Sequence, residues 1–216
     1  MTKQQQKKPK PRKVKPSSGL TPRPYLSWSS MSLFENDEER WVRHYIEGQT
    51  LPINRGMALG KLLAESLEHD KLSGDPMLDI VAAQLPKLDT PEAELTTSFT
   101  HKGLTVPILI KVDTAAKTWE AFIEYKSGPA GNWNQKKAQD GQTLFYSTAI
   151  WCATKKIPTG TLAHAITQYD ENGRPAFTGK IKTYQFQHTL ADILKMQLRM
   201  AKAWEGIIRV TQEHLL

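Results

Sequence analysis

Asp113, Glu124 and Lys126 are the residues of this chain whose types and spacing could do chemistry. Two carboxylates offer hard oxygen donors that suit Mg²⁺ or Mn²⁺, ions that keep positions open for water and a phosphate oxygen. A lysine beside them is a compact positive charge, able to orient an attacking water or to offset charge building on phosphorus. An ion held there would acidify water and neutralise that same charge, so hydrolysis of a phosphodiester is the natural reaction. Such a site exists only if the three side chains meet, and that depends on the strands that carry them.

Residues 106–112 are rich in β-branched side chains, and with residues 119–126 they read as a β-hairpin. Side chains alternate along a strand, so Glu124 and Lys126 share one face and Tyr125 takes the other. A tight turn at Lys117 and Thr118 pairs Ala116 with Trp119 and sets Asp113 opposite Phe122, on the face of Glu124 and Lys126. Asp113 and Glu124 are then diagonal neighbours within reach of one divalent ion, and a slip of one residue would turn Asp113 away. An acid-x-Lys triplet alone is common and is far more often a solvated strand pair than a site. A third element is Gln142 and Tyr146, four apart on a helix expected over about 135–154 and so projecting from one face.

An Asp, an acid-x-Lys pair and a downstream Gln-x-x-x-Tyr, in this order, resemble the PD-(D/E)XK nuclease superfamily, specifically its RecB-like branch. The likeness spans about residues 26–150. Leu26-Ser27-Trp28-Ser29-Ser30 through Phe34 and Arg40 is similar to the opening S-x-S…F helix of that branch. Gly60-Lys61-Leu62-Leu63-Ala64-Glu65-Ser66-Leu67-Glu68 is similar to its G-x-x-x-H-E-x-L-E helix. The resemblance implies that Asp113 and Glu124 are metal ligands, that Lys126 is the catalytic lysine, and that Gln142 and Tyr146 lie at the DNA side of the site. It implies an α/β fold with a restriction-endonuclease-like core, a small mixed sheet of about four strands flanked by helices. The activity implied is a Mg²⁺- or Mn²⁺-dependent deoxyribonuclease, an exonuclease rather than an endonuclease, serving DNA recombination, repair or phage-type DNA processing.

Two departures matter. Ala64 stands where the branch has a histidine or, in some exonuclease relatives, a glutamate. Glu65 and Glu68 are the nearby acids, and Glu68, one turn beyond Ala64, is the better placed to serve as metal ligand. The other reading of Ala64 is a catalytically decayed nucleic-acid-binding or assembly module on the same fold. Asn36-Asp37 occupies the place of a cysteine found in iron–sulfur members; with Cys152 the single cysteine, no iron–sulfur cluster is expected.

The net charge of +7 is unevenly placed. Residues 1–25 hold eight lysines and arginines, no acid and five of the thirteen prolines, so the rest of the chain carries one more acid than base. Residues 1–25 read as a disordered basic tail, either solubilising or touching nucleic-acid phosphates, and residues 26–216 as one nuclease-like domain. No apolar run approaches a bilayer span, which excludes a membrane role, and the lone cysteine fits the cytoplasm of a bacterial or phage-infected cell. DNA is the expected partner, alongside a second copy of the chain or a recombination protein. No phosphate-binding glycine loop occurs, so the domain is expected to act without an ATPase part.

The remaining elements are a first helix over about 32–47 opened by Ser32 and Glu35, a second over 57–69, and an irregular stretch over 73–92. Strands are expected over 161–169 and 179–186 and a last helix over 190–213. His44, His69, His101, His164 and His188 fall into no metal-ligand spacing. Trp133, Asn134, Lys136 and Lys137 could line a nucleic-acid groove, and Lys195, Arg199, Lys202 and Arg209 form a charged helix face.

Overall fold

In a computed structural model, residues 21–50, 55–69 and 73–215 are described, without the side chains of residues 55–58, 68 and 69. The expected tail up to residue 20 and the side chain of Glu68 therefore lie outside the described residues. Thr21 is buried and the Arg23 guanidinium lies 4.7 Å from the centre of the Tyr45 ring, so packing already includes residues expected to belong to the tail.

The expected first helix is two. α1 (Trp28–Asn36) is capped by Ser27 and α2 (Glu38–Tyr45) by Asp37, whose Oδ1 accepts the Arg40 N–H at 2.9 Å. Asp37 adopts an extended φ of −161°, which ends one helix and starts the next, while Ser32 lies inside α1 and caps nothing. α3 (Arg55–His69) follows, then α4 (Pro76–Gln84), which Asp75 caps and Pro76 opens.

The sheet has five strands rather than about four: β1 (Thr90–His101), β2 (Leu104–Ala115), β3 (Ala121–Pro129), β4 (Thr159–Tyr169) and β5 (Pro175–Gln187), in that spatial order. The additional strand, β1, begins within the stretch expected to be irregular. It joins β2 through Lys102 and Gly103, both left-handed (φ 47° and 83°), the backbone a two-residue hairpin demands. Only β3 and β4 run parallel; the other neighbours are antiparallel. The crossover between them carries α5 (Gln135–Gln139) and α6 (Gln142–Thr154), two helices where one was expected, because Gly141 takes φ 64°. α7 (Leu190–Leu215) closes the chain.

Alternation assigns the two faces. Phe122 and Leu162 turn to a core shared with α1, α2, α6 and α7, where Trp41, Phe145, Ile150 and Met200 are buried. Ile123, Ala163 and Ala165 turn to a smaller core under α3 and α4, with Leu63, Leu78 and Val81. Helices on both faces of a mixed sheet leave the ends of its central strands as the place where side chains can meet a ligand.

Candidate active site

β2 and β3 part where chemistry was expected. They pair only at Thr114 with Ile123 and Ala115 with Phe122. Ala116 N–H donates to the Ala121 carbonyl at 2.9 Å around a loop in which Trp119 is left-handed (φ 58°). The loop is thus four residues long rather than two, and the register differs by two from that expected. A shift of two preserves parity, so the consequence is small but definite: continued one step, it brings Asp113 against Glu124 instead of Phe122. Further along, the edge of β2 is met by Leu26, which donates to the Pro107 carbonyl at 2.8 Å and accepts from Leu109 N–H at 3.1 Å.

Between those contacts the alternation of β2 breaks. Val112 and Ala115 belong to the same core, and the β1–β2 pairing skips Glu92 and Asp113, with Glu92 at φ 45°. Asp113 is turned into the opening, where its Oδ2 accepts the Tyr125 main-chain N–H at 2.5 Å. Glu124, only 4% exposed, places Oε1 2.5 Å from the Lys126 Nζ. The Asp113 and Glu124 carboxyls are close enough for the charge of Asp113 to act on Glu124. The structure thus brings Asp113, Glu124 and Lys126 together.

Electrostatics follow from burial. Loss of water pushes the Glu124 carboxyl up to about 7; Lys126 opposes the rise and the negative charge of Asp113 adds to it. Asp113 is also raised, first by burial, against the lowering effects of the Tyr125 N–H and of Lys126. Two neighbouring acids with a single lysine, bonded to Glu124, are short of positive charge, which fits a divalent cation. Mg²⁺ commonly takes one or two carboxylates and keeps waters and substrate phosphate as its other ligands, so Asp113 and Glu124 are a sufficient protein donor pair. Among the described residues no cluster of three His, Cys, Asp or Glu side chains is placed to share one ion.

The third ligand position is informative. Ala64 lines a cavity of about 250 Å³ together with Asp113, Thr114, Tyr125 and Glu92, so α3 brings position 64 to the Asp113 side of the site, in a space that Glu124 and Lys126 do not line. Its methyl group has nothing to coordinate with. Glu65 instead pairs with Lys61 at 3.4 Å on the exposed side of α3.

Gln142 and Tyr146 stand on the first turns of α6, over the same face of β3. Gln142 Nε2 donates to the Tyr146 hydroxyl at 2.5 Å, and the Tyr146 ring meets Phe122 edge-on at 6.1 Å. Burial and then the charge of Glu124 push the Tyr146 phenol upward, so it stays a neutral donor. Gly141 makes this placement possible: beyond its positive φ, a Cβ there would lie 3.1 Å from the Trp28 ring.

Other candidates separate clearly. Trp133 and Lys137 line a cavity with Lys126, Lys136 is not among the residues around it, and Asn134 caps α5 through the Lys137 N–H at 2.9 Å. Arg199 makes a double hydrogen bond to Glu35, at 2.8 and 2.7 Å, and Arg209 pairs with Glu213 and Glu38. His164 and His188 are buried and bonded to main-chain carbonyls of Gly128 and Gln139. Reasoning from sequence missed Lys111, which lines a cavity with Gln142 and Tyr146, and Glu92 opposite Asp113. Recognising β1 would have exposed Glu92.

Solved structures extend the resemblance to the whole fold. A protein from Eubacterium rectale assigned as an exonuclease superposes over 89% of this chain and 83% of its own, with a TM-score of 0.58 at 11% identity. The chain shares the fold of that protein, which is consistent with the resemblance to the PD-(D/E)XK nucleases. A phage-related exonuclease from Haemophilus somnus 129PT (14% identity, 87% and 82% covered, TM-score 0.47) is a weaker match. An alkaline exonuclease from Laribacter hongkongensis is weaker again (10% identity, 88% and 90% covered, TM-score 0.43). No protein-family model matches the chain, and no curated protein is a significant match. No helix among the described residues is long and apolar enough to cross a membrane.

Proposed function

We propose that this protein is a divalent-metal-dependent deoxyribonuclease acting from DNA ends. The observation that carries the reading is the parting of β2 from β3 at Asp113, which seats its carboxyl against buried Glu124 with the Lys126 ammonium 2.5 Å from Glu124. Asp113 and Glu124 would hold Mg²⁺ or Mn²⁺, and such an ion supplies positive charge for a phosphate oxygen and lowers the pKa of water.

The chain's own residues account for the rest. Glu124 holds the Lys126 ammonium at the mouth of the site, from which it donates to the incoming water or to a phosphate oxygen as negative charge grows there. The water oxygen bonds to phosphorus and releases a proton to solvent, the bond from phosphorus to the leaving sugar oxygen breaks, and the leaving oxygen takes up a proton from solvent. Gln142 holds the Tyr146 hydroxyl as an acceptor, leaving the phenolic hydrogen free to be donated to the substrate backbone. End-directed cutting is favoured by the exonuclease assignment of the Eubacterium rectale neighbour.

Purified protein should degrade linear DNA with Mg²⁺ or Mn²⁺ and stop with a chelator. Lys126→Ala and Glu124→Ala should each lower the rate by about 10²- to 10³-fold. Unchanged rates in both would overturn the assignment, and equal cutting of circular DNA would overturn the end requirement. Ala64 favours one second reading, a binding or assembly module without catalysis; it predicts DNA affinity with no hydrolysis under any divalent ion.

A further inference from the structure

Beside Lys126 lies a cavity of about 320 Å³, within the range of roughly 300–1,000 Å³ usual for small-ligand pockets. Its walls include two indoles, Trp28 and Trp133, with Lys137, Asp140 and Gln142 around them. A second cavity of about 240 Å³ lies beyond Trp28, lined by Arg23, Ser27, Ser29, Lys111 and Tyr146. Trp28 and Gln142 border both spaces, so Trp28 is the partition between them.

The Trp28 indole is anchored before any ligand arrives, and Trp133 packs, partly buried, against the main core on a main chain that is itself held. Trp28 meets Phe145 edge-on at 6.1 Å, carries the Arg199 guanidinium 5.6 Å over its ring, and rests against Gly141; Arg199 is itself held by Glu35. The Trp133 carbonyl accepts the Tyr184 hydroxyl at 2.8 Å, and Lys137 Nζ donates to the Asn132 carbonyl at 3.1 Å. Rigid aromatic walls lower the ordering cost of binding a planar group.

The geometry points to a subsite for one unpaired nucleobase, next to the phosphate engaged by Lys126, with Trp28 and Trp133 as its aromatic walls. The inference rests on the nuclease reading and deepens it by naming the substrate as an unpaired strand or a frayed end. Aromatic faces accept any base, the two lysines suit the flanking phosphates, and the Gln142 amide and Asp140 carboxylate can meet the base's hydrogen-bonding edge. A base still paired to its complement presents no free edge and cannot enter.

The test uses the full chain in chelator, so that binding is read without cleavage, with single-stranded oligonucleotides carrying 2-aminopurine or an abasic site at each of the first five positions. One position should show 2-aminopurine quenching, and an abasic site at that position should weaken binding by roughly 5- to 100-fold. Trp133→Ala should weaken binding of the intact oligonucleotide to a similar degree and remove the penalty for the abasic site, while Trp133→Phe restores both. Equal affinity for intact and abasic oligonucleotides at every position overturns the subsite, and because this comparison uses the unaltered protein it does not depend on Trp133→Ala folding. A separate assay with Mg²⁺ or Mn²⁺ keeps the two readings apart. Base-dependent binding without hydrolysis leaves the subsite standing and removes the nuclease; hydrolysis without base dependence does the reverse.

Discussion

Asp113 accepts the main-chain N–H of Tyr125 at 2.5 Å, so the acid that opens the cleft between β2 and β3 also satisfies a donor which that opening exposes. The two roles are separable by substitution. Asp113→Asn keeps an acceptor for Tyr125 and loses the charge; Asp113→Ala loses both. Divalent-ion affinity by titration should fall sharply in each variant. The melting temperature should hold for Asp113→Asn and drop for Asp113→Ala, by roughly 1–3 kcal/mol of stability for the unpaired donor. Equal melting of the two variants would show that Tyr125 finds another acceptor.

Glu124 gives the metal-free protein a defined pH dependence. Its carboxyl is raised from 4.5 to about 7 by burial, so between those values the folded chain keeps a proton that the unfolded chain has released. The contribution of Glu124 to stability in chelator is therefore full below about pH 4.5, falls as pH rises through the window, and levels off above about 7; the raised Asp113 acts in the same direction, and His164 and His188, lowered by burial, act in the opposite one. Glu124→Gln removes the ionisation and should flatten the profile, leaving the variant more stable than the parent at pH 8 by up to about 3 kcal/mol. Thermal melts of parent and variant across pH 4 to 8 decide it, and a stability of the parent relative to Glu124→Gln that grew with rising pH would contradict the burial of this acid.

Gly141 is the hinge on which α6 is hung. Its φ of 64° strains a side chain and a Cβ there would press on the Trp28 ring, so Gly141→Ala should cost about 1–3 kcal/mol, a loss of several degrees in melting temperature. Because Gln142 follows directly, DNA cleavage should fall further than the fraction unfolded explains. Activity measured well below the melting temperature separates the two effects.

The triad is legible in the sequence because parity survives an error of register. A turn confined to Lys117 and Thr118 is too tight, yet a shift of two residues returns every side chain to its own face, and Asp113 still arrives beside Glu124. What parity cannot supply is the break at Asp113 itself, which depends on Leu26 taking the edge of β2 and on Glu92 at φ 45°. Those contacts join residues far apart in the chain. Helix breaks are hidden for a different reason: apolar periodicity runs through Asp37 and Gly141, and only the backbone at those two residues shows that the helices stop. β1 escapes a reading by pattern because its core side has a single fully buried apolar residue, Ala93, which leaves little hydrophobic alternation to detect.

Charge offers a last test that does not depend on the site. Seven of the eight positive charges in residues 1–25 precede residue 21, while the eighth, Arg23, packs over Tyr45 and lines the cavity beside Gln142. Deleting residues 1–20 should leave hydrolysis at saturating DNA intact. It should weaken DNA affinity at low salt and make the plot of log affinity against log salt shallower, by up to about 0.7–0.9 for each phosphate that is no longer neutralised. Arg23→Ala in the full chain should instead change the slope by the share of a single phosphate at most and should lower cleavage as well. A deletion that left the salt slope unaltered would assign the basic segment to solubility alone.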